Sequence, residues 1–488
     1  MSMFKWEVVD PKPGEAVAPD QRLAWGKTVG IGAQHVVAMF GATFVFPIIM
    51  GLDANLAIMM SGIATICFLL IVKGTVPSYL GTSASFVGGA TAIYTYSGSG
   101  GPGGPQDVTG AILVSGVILA LVGVIIHFLG ADVVNAVLPP VVTGAVVMII
   151  GFNLAGVATS TYMPADRWMA LITMTAVIVM AVGLRGFLGR IAIFLGLIFG
   201  YLLSWVFDAI GVGGVAGDRV NWDGVKDAPW FGLPDKTVAG LVGNQSPFGG
   251  ANNMDQVGWH LPSFSVTFTL LALPAVIALV AENMGHVKAV AGMTGRDLDP
   301  VMGRAIAADG VGTVVASSVG GSPTTTYAEN IGVMAATRVY STAAYFVAAI
   351  VAILLGFVPK FGQVVYATPG GVIGGITLVL YGMIGLLGAK IWVENRVNFA
   401  DPINLVPISA GLILAIGYGT TGFFEITKDF QLGGIALGTI VVIVGYHLAR
   451  LVAPKGGDGT MLSVGSPGAH VEDHAAPHHH GEDPKHKH

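Results

Sequence analysis

Ionisable residues are rare within the apolar stretches of this chain, which makes two glutamates conspicuous. Glu282 follows the apolar run LLALPAVIALVA, and His286 comes four residues later, so both side chains lie on one face of a helix. A carboxyl and an imidazole at this spacing can share a proton. Because an unpaired charge is costly in apolar surroundings, this pair is a candidate for function, and a neutral histidine bonded to a backbone carbonyl is the alternative for His286.

The second glutamate, Glu329, stands beside Asn330 where the Thr-rich stretch SPTTTY meets a helix beginning near Ile331. A helix N-terminus has free backbone N–H donors, which suit a planar ligand carrying carbonyl oxygens. Phe86 and Tyr327 occupy matching places in two similar segments and could sandwich such a ring, or could simply pack. Three further polar residues are either functional or tie helices together by hydrogen bonds: Gln34, His35 and Asp309.

The elements that carry these residues are membrane-spanning helices. The chain has 488 residues, of which 53% are hydrophobic and only 10% are charged, whereas soluble globular chains carry about 25% charged residues. Apolar runs long enough to cross about 30 Å of hydrocarbon recur from residue 28 to residue 451, and we count fourteen of them. A soluble enzyme is therefore excluded, and an all-α polytopic membrane protein is predicted.

Two of the fourteen segments are poor hydrocarbon helices, namely the third (LGTSASFVGGATAIYTYS) and the tenth (SPTTTYAENIGVMAATRVYS). We expect short extended stretches in both, facing protein or water, because unpaired backbone groups are not tolerated in lipid. The motif PPVVTG likewise returns as PGGVIG in the second half. Seven spans per half is an odd number, so the halves are inverted relative to one another, and inverted repeats with broken helices indicate a transporter with a midplane site.

The distribution of positive charge predicts the orientation. With the N-terminus inside, all but six of the 23 Lys and Arg residues fall on the inner side, so both termini are expected to be cytoplasmic and the protein to lie in the cell membrane. The net charge of -5 and the absence of a Lys/Arg-rich run give no basis for nucleic-acid binding. The lone Cys67 offers no cysteine metal cluster, and no cofactor is expected.

The predicted organisation has five parts. They are a cytoplasmic N-terminal segment (1–27), a first seven-span repeat (28–211), an extracytoplasmic loop (212–263), a second seven-span repeat (264–451) and a His-rich cytoplasmic tail (452–488). The tail has a composition typical of disordered segments.

The stretch ENIGVMAATR at 329–338 resembles the signature of the nucleobase–ascorbate transporter family, also called nucleobase:cation symporter 2. Together with AQHVVAMFGATFVFPIIMGLD, VPSYLGTSASFVG and AENMGHVKAVAGMTGRDLDPVMGRAIAADG, it is most similar to the uracil permease branch, and within it to RutG-type pyrimidine permeases. The resemblance covers nearly everything except the tail. It implies a fold of two inverted seven-span repeats divided into a core domain and a gate domain, and a homodimer is the expectation from the family.

The resemblance also implies roles for individual residues. The base is expected between spans 3, 8 and 10, and uracil permeases often have glycine at the position of Ala328, so the added methyl group narrows or reshapes the pocket. The implied substrate-binding residues are Glu282, Glu329, Phe86, Tyr327, Ala328 and Tyr381. The implied proton-coupling residues are Glu282, His286, Asp309 and Glu329, while Gln34, His35 and Asn330 are structural or gating candidates.

These observations predict proton-coupled uptake of uracil by alternating access, with H⁺ as the coupling ion. A symporter for a purine such as xanthine or urate is the nearest alternative, because those rings present a similar imide edge. An anion transporter of the sulphate/bicarbonate type shares the expected fold but conflicts with two acidic residues in the site. A passive channel or a membrane enzyme remains as a further alternative, although no nucleophile triad, metal motif or phosphate loop supports an enzyme.

Overall fold

A computed structural model describes residues 5–12, 15–130, 132–213, 218–234, 258–419, 421–427 and 430–453. About 71% of the structure is helical, which confirms the predicted all-α class. Nearly all of the predicted His-rich tail (452–488) and much of the predicted extracytoplasmic loop (212–263) lie outside the described residues. The predicted domain boundaries stay a prediction.

The first half of the chain runs from a short N-terminal strand pair to the ninth helix. Its elements are β1 (Glu7–Val8), β2 (Gln21–Arg22), α1 (Trp25–Ile49), α2 (Ala54–Ile71), β3 (Leu80–Thr82), α3 (Val87–Tyr94), α4 (Pro105–Leu129), α5 (Asp132–Val137), α6 (Pro140–Asn153), α7 (Arg167–Gly183), α8 (Gly186–Arg190) and α9 (Ala192–Ala209).

A short helix, α10 (Asp223–Asp227), lies in the connecting loop before the second half. The elements of the second half are α11 (Val266–Ala272), α12 (Pro274–Thr294), α13 (Asp299–Ser317), β4 (Thr324–Thr326), α14 (Ala328–Thr337), α15 (Thr342–Gly356), α16 (Pro359–Tyr366), α17 (Gly370–Glu394), α18 (Pro402–Tyr418), β5 (Phe423–Thr427), β6 (Phe430–Gly433) and α19 (Gly434–Val452).

Each of the fourteen predicted spans contains a helix, but the helices differ in length. Among the described residues, eight spans are long and apolar enough to cross a bilayer by themselves, or nine if α15 and α16, which meet at a bend of 84°, form one span. The other predicted spans are shorter helices or strand–helix combinations such as β3–α3 and β4–α14. Helices α7 and α18 are apolar but only 17 residues long, whereas in β3–α3 and β4–α14 polar residues interrupt the apolar run.

The helix packing has the twofold pattern expected of inverted repeats. Helices α2 and α4 of the first half correspond to α13 and α15 of the second half. Helix α2 packs on α15, and in the same way α13 packs on α4. The pairs α7–α17 and α18–α6 are related in the same way, as are α7–α9 and α18–α19. Helices α6 and α17 occupy equivalent positions in the two halves and pack on each other. The predicted architecture of two inverted seven-span repeats is therefore confirmed.

The packing also divides the helices into two groups. A core domain contains α1–α4 and α11–α15, and a gate domain contains α6–α9 and α17–α19. Glycines permit the closest approaches within the core: a Cβ atom at Gly123 of α4 would lie 2.2 Å from the backbone nitrogen of Ala307 on α13, and one at Gly303 would lie 2.3 Å from the backbone nitrogen of His127. Small residues of this kind let helix backbones pack closely in lipid, where hydrophobic attraction between helices is absent.

The N-terminal segment before α1 packs against the core domain. The Val17 backbone N–H donates to the Arg338 carbonyl at 2.9 Å, and the Tyr340 N–H donates to the Val17 carbonyl at 2.8 Å. Asp20 forms an ion pair with Arg296, at 2.8 Å, in the loop between α12 and α13. The segment therefore lies on the side of the protein toward which α14 extends.

On the opposite side of the protein, a nearly buried cluster of charged side chains joins three parts of the gate domain. The Arg219 guanidinium contacts Asp166 at 2.8 Å and Asp208 at 3.3 Å, and the three side chains are only 6%, 11% and 12% exposed. Asp166 also caps α7 by accepting from the Met169 backbone N–H. Arg219 thereby joins the start of α7, the end of α9 and the loop that follows α9.

Arg219→Ala should destabilise the protein strongly, because two carboxylates would lose a nearly buried partner at a cost of about 3–5 kcal/mol. The measurement is the melting temperature of detergent-solubilised protein. The matched control is Lys226→Ala, which removes an ion pair with Asp223 whose side chains are 71% and 73% exposed, and such pairs contribute only about 0–1 kcal/mol. Equal melting temperatures for the two variants would show that the Arg219 cluster does not stabilise the fold.

Candidate functional site

The two broken segments meet at the centre of the core domain as a pair of short antiparallel strands. Leu80 pairs with Thr326, Gly81 with Thr325 and Thr82 with Thr324. The Ser83 N–H donates to the Pro323 carbonyl at 2.9 Å, and the Tyr327 N–H donates to the Tyr79 carbonyl at 3.1 Å. The pairing thus satisfies backbone groups that lipid could not. The extended stretches predicted in the third and tenth segments are confirmed.

Because the strands are antiparallel, the helices that follow them, α3 and α14, extend to opposite sides. The N-terminus of α14 therefore lies at the centre of the core. The backbone N–H groups of Ala328 and Asn330 have no hydrogen-bond partner among the described residues, as expected for the first turn of a helix. The Glu329 N–H donates to the partly exposed carboxylate of the same residue.

Glu282 lies on α12, which packs against both β4 and α14. Its side chain is partly exposed and has no hydrogen-bond partner in the described part of the chain. Glu282 is close enough to Asp309 and to Glu329 to interact with both electrostatically. The structure therefore brings together the two glutamates that the sequence singled out, although they are 47 residues apart along the chain.

His286 lies one turn after Glu282 and is held by the strand pair. Its Nδ1 is 2.7 Å from the Thr326 hydroxyl, which donates to the Asn283 carboxamide oxygen at 2.9 Å. Asp309, on α13, is fully buried and accepts from the Asn283 amide nitrogen at 2.8 Å. Sequence reasoning missed Thr326 and Asn283; their only signal is their position in the Thr-rich run and directly after Glu282.

Tyr327 and Phe86, predicted to sandwich a ligand ring, are both buried, with exposures of 4% and 1%. The Tyr327 hydroxyl accepts from the Thr43 hydroxyl at 3.1 Å and donates to the Thr82 carbonyl at 2.8 Å. Its ring lies so close to Gly81 that an added Cβ atom there would be 2.3 Å away. Tyr327 thus joins α1, β3 and α14, and the sandwich stays a prediction.

The candidates in α1 join that helix to α14. The Asn330 amide donates to the His35 backbone carbonyl at 3.0 Å, and the fully buried His35 ring packs on Tyr345 with 4.3 Å between ring centroids. Gln34 is partly exposed and makes no hydrogen bond within the described residues. His35 and Asn330 are therefore in contact, and a structural or gating role for Gln34, His35 and Asn330 stays a prediction.

Tyr381 lies apart from this cluster. It is on α17 in the gate domain, 2% exposed, and its hydroxyl is buried without a hydrogen-bond partner in the described residues. Tyr381 interacts electrostatically with Tyr162, which also lies in the gate domain. A role of Tyr381 in binding stays a prediction.

The residues that border the region around Glu329 differ in exposure between its two sides. Ala328, Gly285 and Ala289 are exposed, and they lie on the helices α14 and α12 that border this region. On the other side, residues 87–93 of α3 are buried, and Ile435 of the gate domain lies against Gly88, where an added Cβ atom would be 2.1 Å from the Ile435 side chain. The residues that border the polar cluster are thus exposed on the side of α14 and buried on the side of α3.

An inverted-repeat membrane fold with two broken segments around a partly accessible polar centre is characteristic of a secondary transporter. A model of the permease family matches residues 26–425. The chain belongs to this family, which confirms the resemblance to nucleobase–ascorbate transporters and indicates a transporter rather than an enzyme.

Among curated proteins, the chain is 43% identical over 431 residues to RutG of Escherichia coli (strain K12), designated as a pyrimidine permease, covering 88% of this chain and 90% of the relative. It is 36% identical over 439 residues to the uracil permease of Bacillus caldolyticus, covering 88% of this chain and 92% of the relative.

Solved structures show the fold. The transmembrane domain of the cyanobacterial bicarbonate transporter BicA has a TM-score of 0.55 at 11% identity, covering 81% of this chain and 96% of that domain. SLC26A9 also has a TM-score of 0.55, at 12% identity, covering 87% of this chain and 65% of that protein. At these identities the likeness concerns the architecture alone.

Proposed function

We propose that this protein imports uracil across the cytoplasmic membrane together with protons. The observation that carries the proposal is the convergence of Glu282, Glu329 and the free N–H groups of α14 at one accessible point in the middle of the fold. The names of the related permeases support a pyrimidine as the substrate.

The chemistry of this point matches a pyrimidine-dione. Uracil carries two N–H donors and two carbonyl acceptors in one plane. A carboxylate at Glu329 accepts from an imide N–H, while the free backbone N–H groups at the start of α14 donate to a carbonyl oxygen. A neutral planar base is favoured over an anion, because acidic side chains beside the site would repel a negative charge.

The grouping of the acids supports the proposed proton coupling. Three carboxyl groups that interact in a region of low dielectric, those of Glu282, Glu329 and Asp309, cannot all be ionised at low cost. Asp309 is fully buried, and the Glu329 carboxylate accepts from its own backbone N–H and is the proposed acceptor for the base, so Glu282 is the proposed proton carrier. In this proposal uracil binds when Glu282 is protonated, and release of the proton accompanies release of the base.

Alternating access is proposed as movement of the core domain against the gate domain. The predicted orientation puts the open side, toward which α14 and the N-terminal segment extend, in the cytoplasm. The structure then corresponds to a state open to the cell interior. In the opposite state, the contact between Ile435 and Gly88 would separate. Dimer formation, expected from the family, stays a prediction.

Flux measurements in proteoliposomes test the proposal. Radiolabelled uracil should accumulate when the outside is more acidic than the inside, and accumulation should cease when a protonophore collapses the gradient. Competition by thymine, xanthine and urate tests the purine alternative, and bicarbonate and sulphate test the anion alternative. Accumulation unaffected by the protonophore would refute proton coupling, whereas displacement by xanthine but not by thymine would assign the site to purines.

A further inference from the structure

A chain of hydrogen bonds runs from a buried acid to the imidazole beside the proposed site. Asp309 accepts from the Asn283 amide nitrogen, the Asn283 oxygen accepts from the Thr326 hydroxyl, and that hydroxyl contacts His286 Nδ1, with donor–acceptor distances of 2.8, 2.9 and 2.7 Å. The chain joins α13, α12 and β4. Asp309 is 0% exposed, Asn283 1% and Thr326 2%, so water does not compete for these bonds.

The direction of every bond in this chain is fixed by one backbone carbonyl. The Asn283 amide nitrogen donates to the Leu279 carbonyl at 2.9 Å as well as to Asp309, and a carbonyl can only accept. The Asn283 oxygen is therefore the atom that faces Thr326, and the hydroxyl must donate to it. A threonine hydroxyl has one hydrogen, so its contact with His286 requires the imidazole to donate.

From this geometry we infer that Thr326 and Asn283 are positioning residues that fix the tautomer of His286. Nδ1 carries the hydrogen, and Nε2 carries the lone pair when the ring is neutral. The ring also hydrogen-bonds to the Thr326 backbone, so both of its contacts with β4 are to Thr326. No other side chain of the described part of the chain hydrogen-bonds to the ring, and the His286 side chain is partly exposed beside Glu282. The atom presented to the site is thus always Nε2, which accepts a hydrogen bond or a proton there.

Because Asn283 lies in the middle, this series of hydrogen bonds differs from one that conducts protons. An amide does not readily pass a proton from its nitrogen to its oxygen, so Asp309 acts on His286 through orientation and charge. The ionisable groups that act on His286 and Glu282 from the surrounding elements are Asp309 on α13, Tyr327 and Glu329 at the start of α14, and Lys390 on α17. A change of tautomer at His286 leaves all four in place.

Threonine variants on the same strand separate this role from general damage. Thr326→Val keeps the shape of the side chain but removes the acceptor of Nδ1–H, and Thr326→Ser restores it. Thr325→Val is the matched control, because the Thr325 hydroxyl is also buried, at 2% exposure, but has no hydrogen-bond partner in the described residues. All three variants retain the backbone pairing of β4 with β3.

The first readout rests on the proposed function. Thr326→Val should lower the maximal rate of proton-driven uracil uptake about tenfold and alter the pH profile of that rate, as expected when a supporting partner of a functional histidine is lost. The affinity for uracil should change less than about threefold. Thr326→Ser and Thr325→Val should remain within about twofold of the wild type. Equal behaviour of Thr326→Val and Thr325→Val, or failure of Thr326→Ser to restore the rate, would overturn the inference.

The second readout does not depend on any substrate. In protein labelled with ring-¹⁵N histidine, the His286 signals, assigned by their loss in His286→Gln, should show a protonated Nδ1 and an unprotonated Nε2 at alkaline pH. Thr326→Val should move this population toward the other tautomer. A wild-type His286 protonated at Nε2 alone would refute the inference. Absence of uracil transport together with the expected tautomer would instead refute the proposed function.

Discussion

Glu329→Ala is expected to abolish measurable uracil binding. The carboxylate is the proposed acceptor for an imide N–H at the start of α14, and its removal leaves that donor without a partner in a poorly hydrated site. Truncating one partner of such a charged hydrogen bond costs about 2–5 kcal/mol, which corresponds to a loss of affinity of about 30-fold to several thousandfold. Glu329→Gln keeps an acceptor oxygen and should lose less.

Equilibrium binding of radiolabelled uracil to purified protein measures this effect. Glu425→Ala serves as the control, since Glu425 is an exposed residue of β5 in the gate domain. Unchanged melting temperature of the Glu329→Ala variant would exclude misfolding as the cause. If that variant still bound uracil within about threefold of the wild type, the site would have to lie elsewhere, because a charged partner contributes more than this.

Glu282→Gln is expected to separate binding from proton-driven accumulation. Glutamine mimics the neutral form of the carboxyl, so the variant should bind uracil and exchange internal for external uracil, but it cannot take up or release a proton. The concentration ratio that the wild type builds across the membrane should fall to about one, since no ion gradient is then linked to transport.

The pH dependence gives a second test of the same residue. If uracil binds the protonated form of Glu282, wild-type affinity should weaken as the pH rises, because deprotonation removes the competent form. The affinity of Glu282→Gln should lack this component. A Glu282→Gln protein that still concentrates uracil in an imposed proton gradient would show that another group carries the proton. Glu425→Gln, at the same exposed position as the earlier control, is the matched control here.

The membrane fold and the two glutamates, Glu282 and Glu329, could be predicted from the sequence because both depend on local features of the chain. Apolar length identified the spans, and the polar runs around Phe86 and Tyr327 marked the two places where helices had to be interrupted. Odd numbers of spans per half then required inversion. Each of these conclusions follows from the properties of neighbouring residues in the chain and from the thickness of a bilayer.

The contacts that define the centre could not be predicted in this way. Nothing in the local pattern shows that Thr82 lies opposite Thr324, or that Tyr327 uses its hydroxyl to join α1 to β3. A buried aromatic ring and a ligand-stacking ring have the same local sequence signature. The roles of Asn283 and Thr326 depend likewise on hydrogen bonds between elements that are distant in sequence, which only three-dimensional structure reveals.

The attachment of the N-terminal segment has a practical consequence for observing transport. All of its described ties to the rest of the protein, through Val17, Pro19 and Asp20 among others, go to elements of the core domain. In the proposed movement of the core domain against the gate domain, a fluorophore placed near Trp6 would therefore move with the core domain. Energy transfer from that label to a second one on α18 would report each cycle in real time, while a second one on α13 would give a constant signal.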